Sequence, residues 1–200
     1  MFKNTPAFNL RMTVYCSLFT ALIIVGGYIS IPVPIGPVPI AFADFFVMVT
    51  GLFLGYKYGL ISTSLYLALG AIGLPVFAGG TSGLAVLFGP RGGFIFGYLL
   101  LAASVGYITA KMKPGIITYL IALVTGNILL YLIGVPWLKN VMGFSWSMAL
   151  AAGFTPFIVG MVVKIAVAVS LGHALLPRFR QTLISASAPQ TNDDNDNDGE

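Results

Sequence analysis

The chain has 200 residues, of which 58% are hydrophobic and 8% are charged, and its net charge at pH 7 is +4. Soluble domains carry about 25% charged residues, so this composition excludes a water-soluble domain and predicts an integral protein of the lipid bilayer. The basic residues are scattered singly along the chain, which is not the clustered pattern of a protein that binds nucleic acid.

Six apolar segments follow one another along the chain, and about 20 apolar residues are enough to cross a bilayer. They lie at residues 12–31, 40–56, 59–75, 93–110, 115–135 and 155–176. We therefore predict an all-α membrane domain of six transmembrane helices over residues 12–176. Residues 1–11 form a short N-terminal segment. Residues 177–200 form a basic and then acidic tail, which we expect to be disordered because its acidic part is too polar to fold.

The positively charged residues predict the orientation of these helices, because cytoplasmic loops of membrane proteins are enriched in Lys and Arg. With both termini in the cytoplasm, two loop residues, Arg91 and Lys139, face outward and seven basic residues face inward. The seven are Lys3, Arg11, Lys57, Lys111, Lys113, Arg178 and Arg180. We therefore expect both termini to be cytoplasmic and the longer loops, 31–40, 75–92 and 136–154, to be outside.

The first outer loop contains four prolines in the stretch "IPVPIGPVPI", residues 31–40. Proline has no backbone N–H, and it favours extended conformations at its own position and at the preceding residue. Backbone groups without hydrogen bonds are not tolerated against lipid. The stretch therefore predicts an ordered loop that lies over the outer mouth of the bundle or covers something within it.

Two charged residues lie within the apolar segments, where charge is rare. Thr155-Pro156 has the pattern of an N-cap followed by proline at the first helical position, which places Lys164 roughly 12 Å below the outer face. Asp44 lies roughly 6 Å deep by the same helical rise. We expect both to converge on one outer-half site with three further residues. These are Arg91, Asn127 and Tyr131.

A lysine at mid-membrane costs about 3 kcal/mol even on insertion scales, so Lys164 needs a partner. One interpretation is a structural ion pair with Asp44 that locks two helices together. The other is a pocket for a small, anionic, amphiphilic ligand. We favour the pocket because Gly160 and Ala168, one turn before and after Lys164, leave room beside the lysine. The two interpretations are compatible if the ligand competes with Asp44 for the lysine.

The remaining motifs are weaker or point away from catalysis. The loop from Gly79 and Gly80 to Gly83 could cradle a ligand's carboxylate with backbone N–H groups, although glycine-rich turns are common in membrane proteins. The chain has one histidine, His173, one cysteine, Cys16, and no Walker A motif. These residues assemble neither a metal site nor a Cys–His nucleophile. We predict that the protein is not an enzyme and binds no metal and no cofactor.

Six motifs, in order from about Arg11 to Leu176, make the sequence resemble the BioY family, the biotin-specific S components of energy-coupling-factor (ECF) transporters. The motifs are "IPVPIGPVPI", "FFVMVTGLFLG", "GAIGLPVFAGG", "GPRGGFIFGYL", "GNILLYLIGVPW" and "PFIVGMVVKIAVA". The resemblance implies a six-helix bundle with ordered outer loops that captures biotin from outside, in the cytoplasmic membrane of a prokaryote. It also implies a transmembrane T component and two ATPase subunits as partners, which would use the ATP.

The resemblance further implies roles for individual residues. Lys164 matches the family's ligand-contacting lysine, and Arg91 with the preceding glycine loop matches the contact region of the third loop. In the first helix, Ser17 and Ala21 have a small-xxx-small spacing that permits close helix approach, and they would dock on the T component. The same spacing is equally common in ordinary helix packing.

The last-helix motif departs from the family pattern at one position. The family reads "PGDxxK", whereas this chain has Met161 where the acid is expected. One hypothesis is that Asp44 supplies, from the second helix, the carboxylate that is missing at Met161. The rival hypothesis is that the ligand is a different vitamin or another amphiphilic acid. An alternative from another class is a non-transporting membrane scaffold, in which the pairing of Asp44 with Lys164 is only structural.

Overall fold

The computed structural model describes residues 10–34 and 36–185. Its helices are α1 Leu10–Tyr28, α2 Ala43–Ala71, α3 Leu84–Phe88, α4 Gly92–Lys111, α5 Ile116–Met142, α6 Trp146–Gly153 and α7 Ile158–Ser185. Two short strands, β1 Ser30–Ile31 and β2 Ile40–Ala41, lie between α1 and α2, and a 3₁₀ turn, Thr155–Phe157, precedes α7. The predictions for residues 1–9 and for the acidic tail beyond residue 185 lie outside the described residues.

Five helical segments within the described residues are long and apolar enough to cross a membrane. They are α1, α2, α4, α5 and the segment Trp146–Phe179, which joins α6, the 3₁₀ turn and most of α7. The fold is mostly helical, as predicted. The predicted count of six transmembrane helices is not confirmed, because the second and third predicted segments form one element, α2.

Helix α2 is nevertheless broken at Gly55, at the predicted end of the second segment. Gly55 has φ of 71° and ψ of −177°, a left-handed backbone that glycine adopts without a steric penalty. A Cβ atom placed on Gly59 would lie 3.5 Å from the Cα atom of Gly51, whereas residues eight apart along a straight helix are about 12 Å apart. The two parts of α2, residues 43–54 and 56–71, therefore fold back on each other next to the break.

The prediction that residues 136–154 form a loop is wrong, because most of them are helical. Helix α5 continues through Pro136 to Met142. The indole Nε1 of Trp137 donates to the carbonyl oxygen of Gly89 at 2.9 Å, and Leu138 is fully buried. These contacts hold the last turns of α5 in place despite the missing proline N–H. Much of the remaining segment forms α6, where the Ser145 side chain accepts a hydrogen bond from the Met148 backbone and caps the helix.

The predicted start and end of the last helix are also corrected. Thr155 does not cap α7, because its hydroxyl donates back to the carbonyl oxygen of Leu150 at 3.2 Å and the chain first forms the 3₁₀ turn. Helix α7 begins at Ile158 and runs through Pro177 to Ser185, beyond the predicted end at residue 176. The hydropathy pattern located only the apolar part of this helix, whereas the helix itself continues through its more polar last turns.

The proline-rich segment forms a short antiparallel hairpin at one end of the bundle, which we call the loop end. Ser30 pairs with Ala41 in this hairpin. Its tip is held by the guanidinium Nε of Arg91, which donates to the carbonyl oxygen of Pro37 at 2.9 Å. The tip also approaches α6 so closely that a Cβ atom on Gly36 would lie 2.9 Å from that of Ala152. The segment therefore covers part of the bundle end, in agreement with the sequence-based expectation.

Candidate functional site

The predicted partners Lys164 and Asp44 meet at the loop end. The ammonium Nζ of Lys164 donates to Oδ1 of Asp44 at 2.7 Å and to the carbonyl oxygen of Ala41 at 2.6 Å. It also lies 5.2 Å from the centre of the Phe42 ring, within the range of a cation–π contact. The lysine side chain is 7% exposed and that of Asp44 is 14% exposed. A buried cation is thus matched by an anion, a carbonyl oxygen and an aromatic face.

Three elements position this ion pair. Ala41 ends β2, Asp44 lies in the first turn of α2, and Lys164 comes from α7. A carboxylate in the first turn of a helix is stabilised by the free N–H groups and the helix dipole. On α7, Lys164 and Ala168 are buried, whereas Val159 and Val163 on another face are largely exposed. The lysine therefore fastens α7 to both the proline-rich hairpin and the start of α2.

A small cavity of about 30 Å³ adjoins Asp44, which is room for about one water molecule. Val38 and Pro39 of the hairpin line it on one side, and Tyr98 of α4 and Tyr131 of α5 line it on another. The cavity therefore lies between the proline-rich segment and the helices, beside the one carboxylate among the described residues.

A larger cleft of about 440 Å³ lies between α5, α6 and α7. Its lining includes Asn127, Tyr131, Trp146, Phe154 and Met161. The volume falls within the range of about 300–1,000 Å³ that is usual for small-molecule pockets. Tyr131 lines both this cleft and the small cavity beside Asp44, so its side chain lies at the boundary between the two spaces.

Asn127 and Tyr131 lie one turn apart on α5, as predicted. Asn127 is only 2% exposed, and its Nδ2 donates to the carbonyl oxygen of Leu123 at 2.8 Å and to Sδ of Met48 at 3.2 Å. Its Oδ1 has no hydrogen-bond partner among the described residues. The Tyr131 ring makes edge contacts with aromatic neighbours, including Phe154 at 5.1 Å between ring centres.

Arg91 belongs to the loops of the same end. Besides its bond to Pro37, its Nη1 donates to the carbonyl oxygen of Ala78 at 3.2 Å and lies 3.5 Å from Oγ1 of Thr81. Partial burial lowers the pKa of the guanidinium from its ordinary value. Arg91 therefore ties the proline-rich segment to the glycine-rich loop. In this structure it is not part of the Asp44–Lys164 pair.

The predicted N–H cradle of the glycine-rich loop is engaged within the protein in this structure. The N–H of Gly79 donates to Gly27 at 3.1 Å and that of Gly80 donates to Phe77 at 2.9 Å. Both glycines have φ near +70°, which favours glycine. A ligand carboxylate would have to replace these bonds, so contact of Gly79 and Gly80 with a ligand stays a prediction.

The other predicted residues lie on open surfaces or line the cleft. A Cβ atom on Gly160 would meet no atom within 4 Å, which leaves room beside α7, and Met161 lines the cleft. Ser17 and Ala21 both lie on an exposed face of α1, together with Leu18 and Val25.

Sequence reasoning missed several groups of the site. The carbonyl oxygen of Ala41 and the ring of Phe42 contact Lys164, but neither residue type signals such a role. Trp146 lines the cleft because residues 146–153 form a helix, and the pattern Ser145-Trp146-Ser147 that starts this helix is a recognisable N-cap signal. Tyr98 lies on α4, a helix that the apolar pattern predicted. Its depth in that helix, compared with the depth of Asp44, could have identified it as a residue of the site.

The fold and the site define a helical membrane protein of several spans, with a buried ion pair and space for a small molecule at one end. The chain belongs to the BioY family, whose family model matches residues 2–181. The resemblance predicted from the motifs is thereby confirmed.

The relatives are transport proteins and not enzymes, as predicted. The chain is 40% identical to the biotin transporter BioY of Thermotoga maritima, over 80% of this chain and 92% of that protein. It is 36% identical to the biotin transporter BioY2 of Lactococcus lactis, over 90% and 96%. A crystal structure of the S component for biotin from an ECF-type ABC transporter superposes with a TM-score of 0.79 at 30% identity, over 89% of this chain and 95% of that one.

Proposed function

We propose that this protein is the biotin-binding S component of an ECF-type transporter and captures biotin at the loop end. The observation that carries the proposal is the buried Lys164–Asp44 pair beside a covered cavity, in a chain whose family relatives are named biotin transporters. A buried ammonium is a suitable partner for the carboxylate of a small amphiphilic acid, and the neighbouring apolar cleft suits its hydrophobic part.

The ion pair suggests how the ligand binds. An ammonium has three N–H donors, and the described residues engage two of them. The carboxylate of biotin takes the remaining donor of Lys164 or displaces Asp44 from it. Asp44 in turn supplies the acid that is absent at Met161. Arg91, Gly79 and Gly80 hold the loops over the bound ligand.

Coupling to transport follows the ECF arrangement. The bundle crosses the cytoplasmic membrane of a prokaryote six times, with residues 43–54 and 56–71 as separate membrane segments on either side of Gly55 and both termini in the cytoplasm. Partner ATPase subunits use the ATP, which agrees with the lack of a Walker A motif in this sequence. The exposed face of α1 with Ser17 and Ala21 docks on the T component.

Binding of labelled biotin to the purified, detergent-solubilised protein tests the proposal. We expect saturable binding in the nanomolar range, where 1 nM corresponds to about −12 kcal/mol, and at least a tenfold loss in Lys164→Ala. The matched control is Lys57→Ala, which removes an exposed lysine on the far side of α2's break and should bind as the wild type does. Equal affinities of Lys164→Ala and wild type would exclude the lysine from the site.

A second candidate, a different vitamin or amphiphilic acid on the same scaffold, is favoured by one observation: Met161 lines the cleft where the family pattern has an acid. Competition of unlabelled vitamins against labelled biotin separates the candidates. A well-folded protein that is stabilised against heat by another acid and not by biotin would favour the second one. Absence of saturable binding and of any ligand-dependent thermal shift would leave a membrane scaffold.

A further inference from the structure

The cleft between α5, α6 and α7 opens sideways, through the face of the bundle that the membrane covers. Both α5 and the segment Trp146–Phe179 are long and apolar enough to be membrane spans. Ile128 and Leu132, which line the cleft from α5, are 54% and 63% exposed. Val135 and Ile165, which line it as well, are buried. The cleft is therefore an apolar groove in a surface that meets lipid.

The length of the cleft matches one leaflet of a bilayer. On α5 its lining residues recur every three or four positions from Val124 to Pro136, which is a single stripe of a helix. At about 1.5 Å per residue this stripe is about 18 Å long. The hydrocarbon core of a bilayer is about 30 Å thick, so one leaflet contributes about half of that. The cleft, with a volume of about 440 Å³, is thus long enough for one acyl chain.

A lysine continues the same stripe of α5 at the loop end. Lys139 follows Val135 by one helical turn, and its Nζ lies 5.2 Å from the centre of the Trp146 ring, which lines the cleft. About 20 residues of α5 from Ile116 suffice to cross the hydrocarbon core, so Lys139 lies beyond it, among the lipid headgroups. Tryptophan is enriched at this depth of a membrane, and Trp146 is exposed.

The charge of Lys139 is available to a partner from outside the chain. The one carboxylate among the described residues, Asp44, is paired with Lys164. The ring of Trp146 offers Lys139 a cation–π contact but no counter-charge. A cation without an anion therefore lies at the headgroup end of a groove that suits an acyl chain.

We propose that the cleft binds one acyl chain of an anionic phospholipid, with the phosphate of its headgroup at Lys139. The occupant is a lipid because the cleft opens toward the bilayer and most of its lining side chains are apolar. It is an anionic lipid because a zwitterionic headgroup would bring a second cation to Lys139. The inference goes beyond the proposed function and concerns the protein before biotin binds. A ligand whose apolar part enters the cleft displaces the chain.

The two tryptophans of the chain make the cleft observable. Trp146 lines it, whereas the ring of Trp137 faces α4, 5.8 Å from the ring of Phe96. Brominated acyl chains quench tryptophan fluorescence on close contact. Brominated phosphatidylglycerol, added to the biotin-free protein in detergent, should quench part of the emission saturably, at about fivefold lower concentration than brominated phosphatidylcholine. Trp146→Phe, which keeps an aromatic ring, should lose the saturable quenching.

Two lysine variants test the contact with the headgroup. Lys139→Gln should bind the two lipids alike, because it removes the charge that prefers phosphatidylglycerol. The matched control is Lys111→Gln at the opposite end of the bundle. The Nζ of Lys111 also lies over an aromatic ring, that of Tyr107 at 5.9 Å, but this lysine is in the last turn of α4, away from the cleft. Lys111→Gln should keep the wild-type preference.

Each result supports or overturns the inference. Quenching that does not saturate, or that Trp146→Phe retains, would show that lipids cover the bundle in general and do not occupy the cleft. Equal affinity of the wild type for both lipids would overturn the headgroup contact without recourse to any variant, so a poorly folded variant does not protect it. A preference that survives in Lys139→Gln would overturn it too. All measurements are made without biotin, so they are independent of whether the protein binds biotin.

Discussion

The loop end and the helix core satisfy their polar groups in different ways. In the helix core, the hydroxyls of Thr50, Thr63 and Thr109 donate to carbonyl oxygens four residues earlier in their own helices. At the loop end, Lys164 bonds to groups that are 123 and 120 residues away along the chain. Arg91 likewise bonds across 54 residues. These three hydroxyls need no distant partner, whereas Lys164 and Arg91 depend on groups that the tertiary fold brings to them.

This contrast predicts which single substitutions should lower the stability of the protein most. A hydroxyl that donates to a carbonyl already bonded within the helix leaves no orphaned group when it is removed. An ion pair that joins separate elements leaves a buried charge when one partner is lost. The stability predictions below run from the largest expected effect to the smallest. Among them, Asp44→Ala and Thr63→Val test this difference.

The largest effect is expected for Asp44→Ala, because the buried ammonium of Lys164 loses the one carboxylate that the described residues offer it. Loss of one member of a buried pair costs about 3–5 kcal/mol. Thermal unfolding in detergent should therefore show a large decrease in stability. Lys164→Met should cost less, because the carboxylate that remains lies in the first turn of α2 and is stabilised by the helix N-terminus. If Asp44 supplies the acid that is missing at Met161, biotin affinity should fall in Asp44→Ala at least as much as in Lys164→Ala.

The double variant Asp44→Ala/Lys164→Met sharpens this test. It removes both charges, so it should be more stable than Asp44→Ala alone. The amount by which its stability loss falls short of the sum of the two single losses is the coupling between the two residues. Additive losses would show that the pair contributes nothing as a pair. Unchanged biotin binding by Asp44→Ala would also refute the hypothesis that Asp44 supplies the acid missing at Met161.

The sequence predicted the meeting of Asp44 and Lys164 for a physical reason. A charge in an apolar segment needs a partner, and the helical rise placed both residues in the same half of the bundle. It could not predict that Ala41 would offer its carbonyl oxygen, because that contact depends on the register of the hairpin, in which Ser30 pairs with Ala41. Any residue type has such an oxygen, so composition carries no signal for it.

The same distinction explains the errors in the fold. The apolar segments were recognised because hydropathy is a property of the local sequence. The extension of α5 beyond Pro136 was not predicted, because it depends on the burial of Leu138 and on the hydrogen bond from Trp137 to Gly89. Asn127 was recognised as a polar residue of an apolar segment, yet its contact with Met48, 79 residues away, follows only from the packing of α5 against α2.

An intermediate effect is expected for Gly106→Ala, which tests the helix core by crowding and leaves its polar groups intact. A Cβ atom on Gly106 would overlap the backbone nitrogen of Tyr56, so α4 would have to move away from the break in α2. Overpacking of this kind costs about 1–3 kcal/mol, and the melting temperature in detergent should fall accordingly. Gly160→Ala is the matched control, because a Cβ there meets no atom within 4 Å. Equal losses in both variants would show that the contact at Gly106 is not limiting.

The smallest effect is expected for Thr63→Val in the helix core. Thr63 is fully buried, and valine has nearly the same shape, so the substitution removes only the 2.9 Å bond from its hydroxyl to the carbonyl oxygen of Gly59. That oxygen also takes part in the backbone hydrogen bonding of its own helix, and valine brings no polar group that needs a partner. The free energy of unfolding should therefore change by less than about 1 kcal/mol. The measurement is the same detergent unfolding experiment as for Asp44→Ala. A loss as large as that of Asp44→Ala would mean that the core hydroxyls are as interdependent as the groups of the loop end, and the contrast between the two regions would no longer hold.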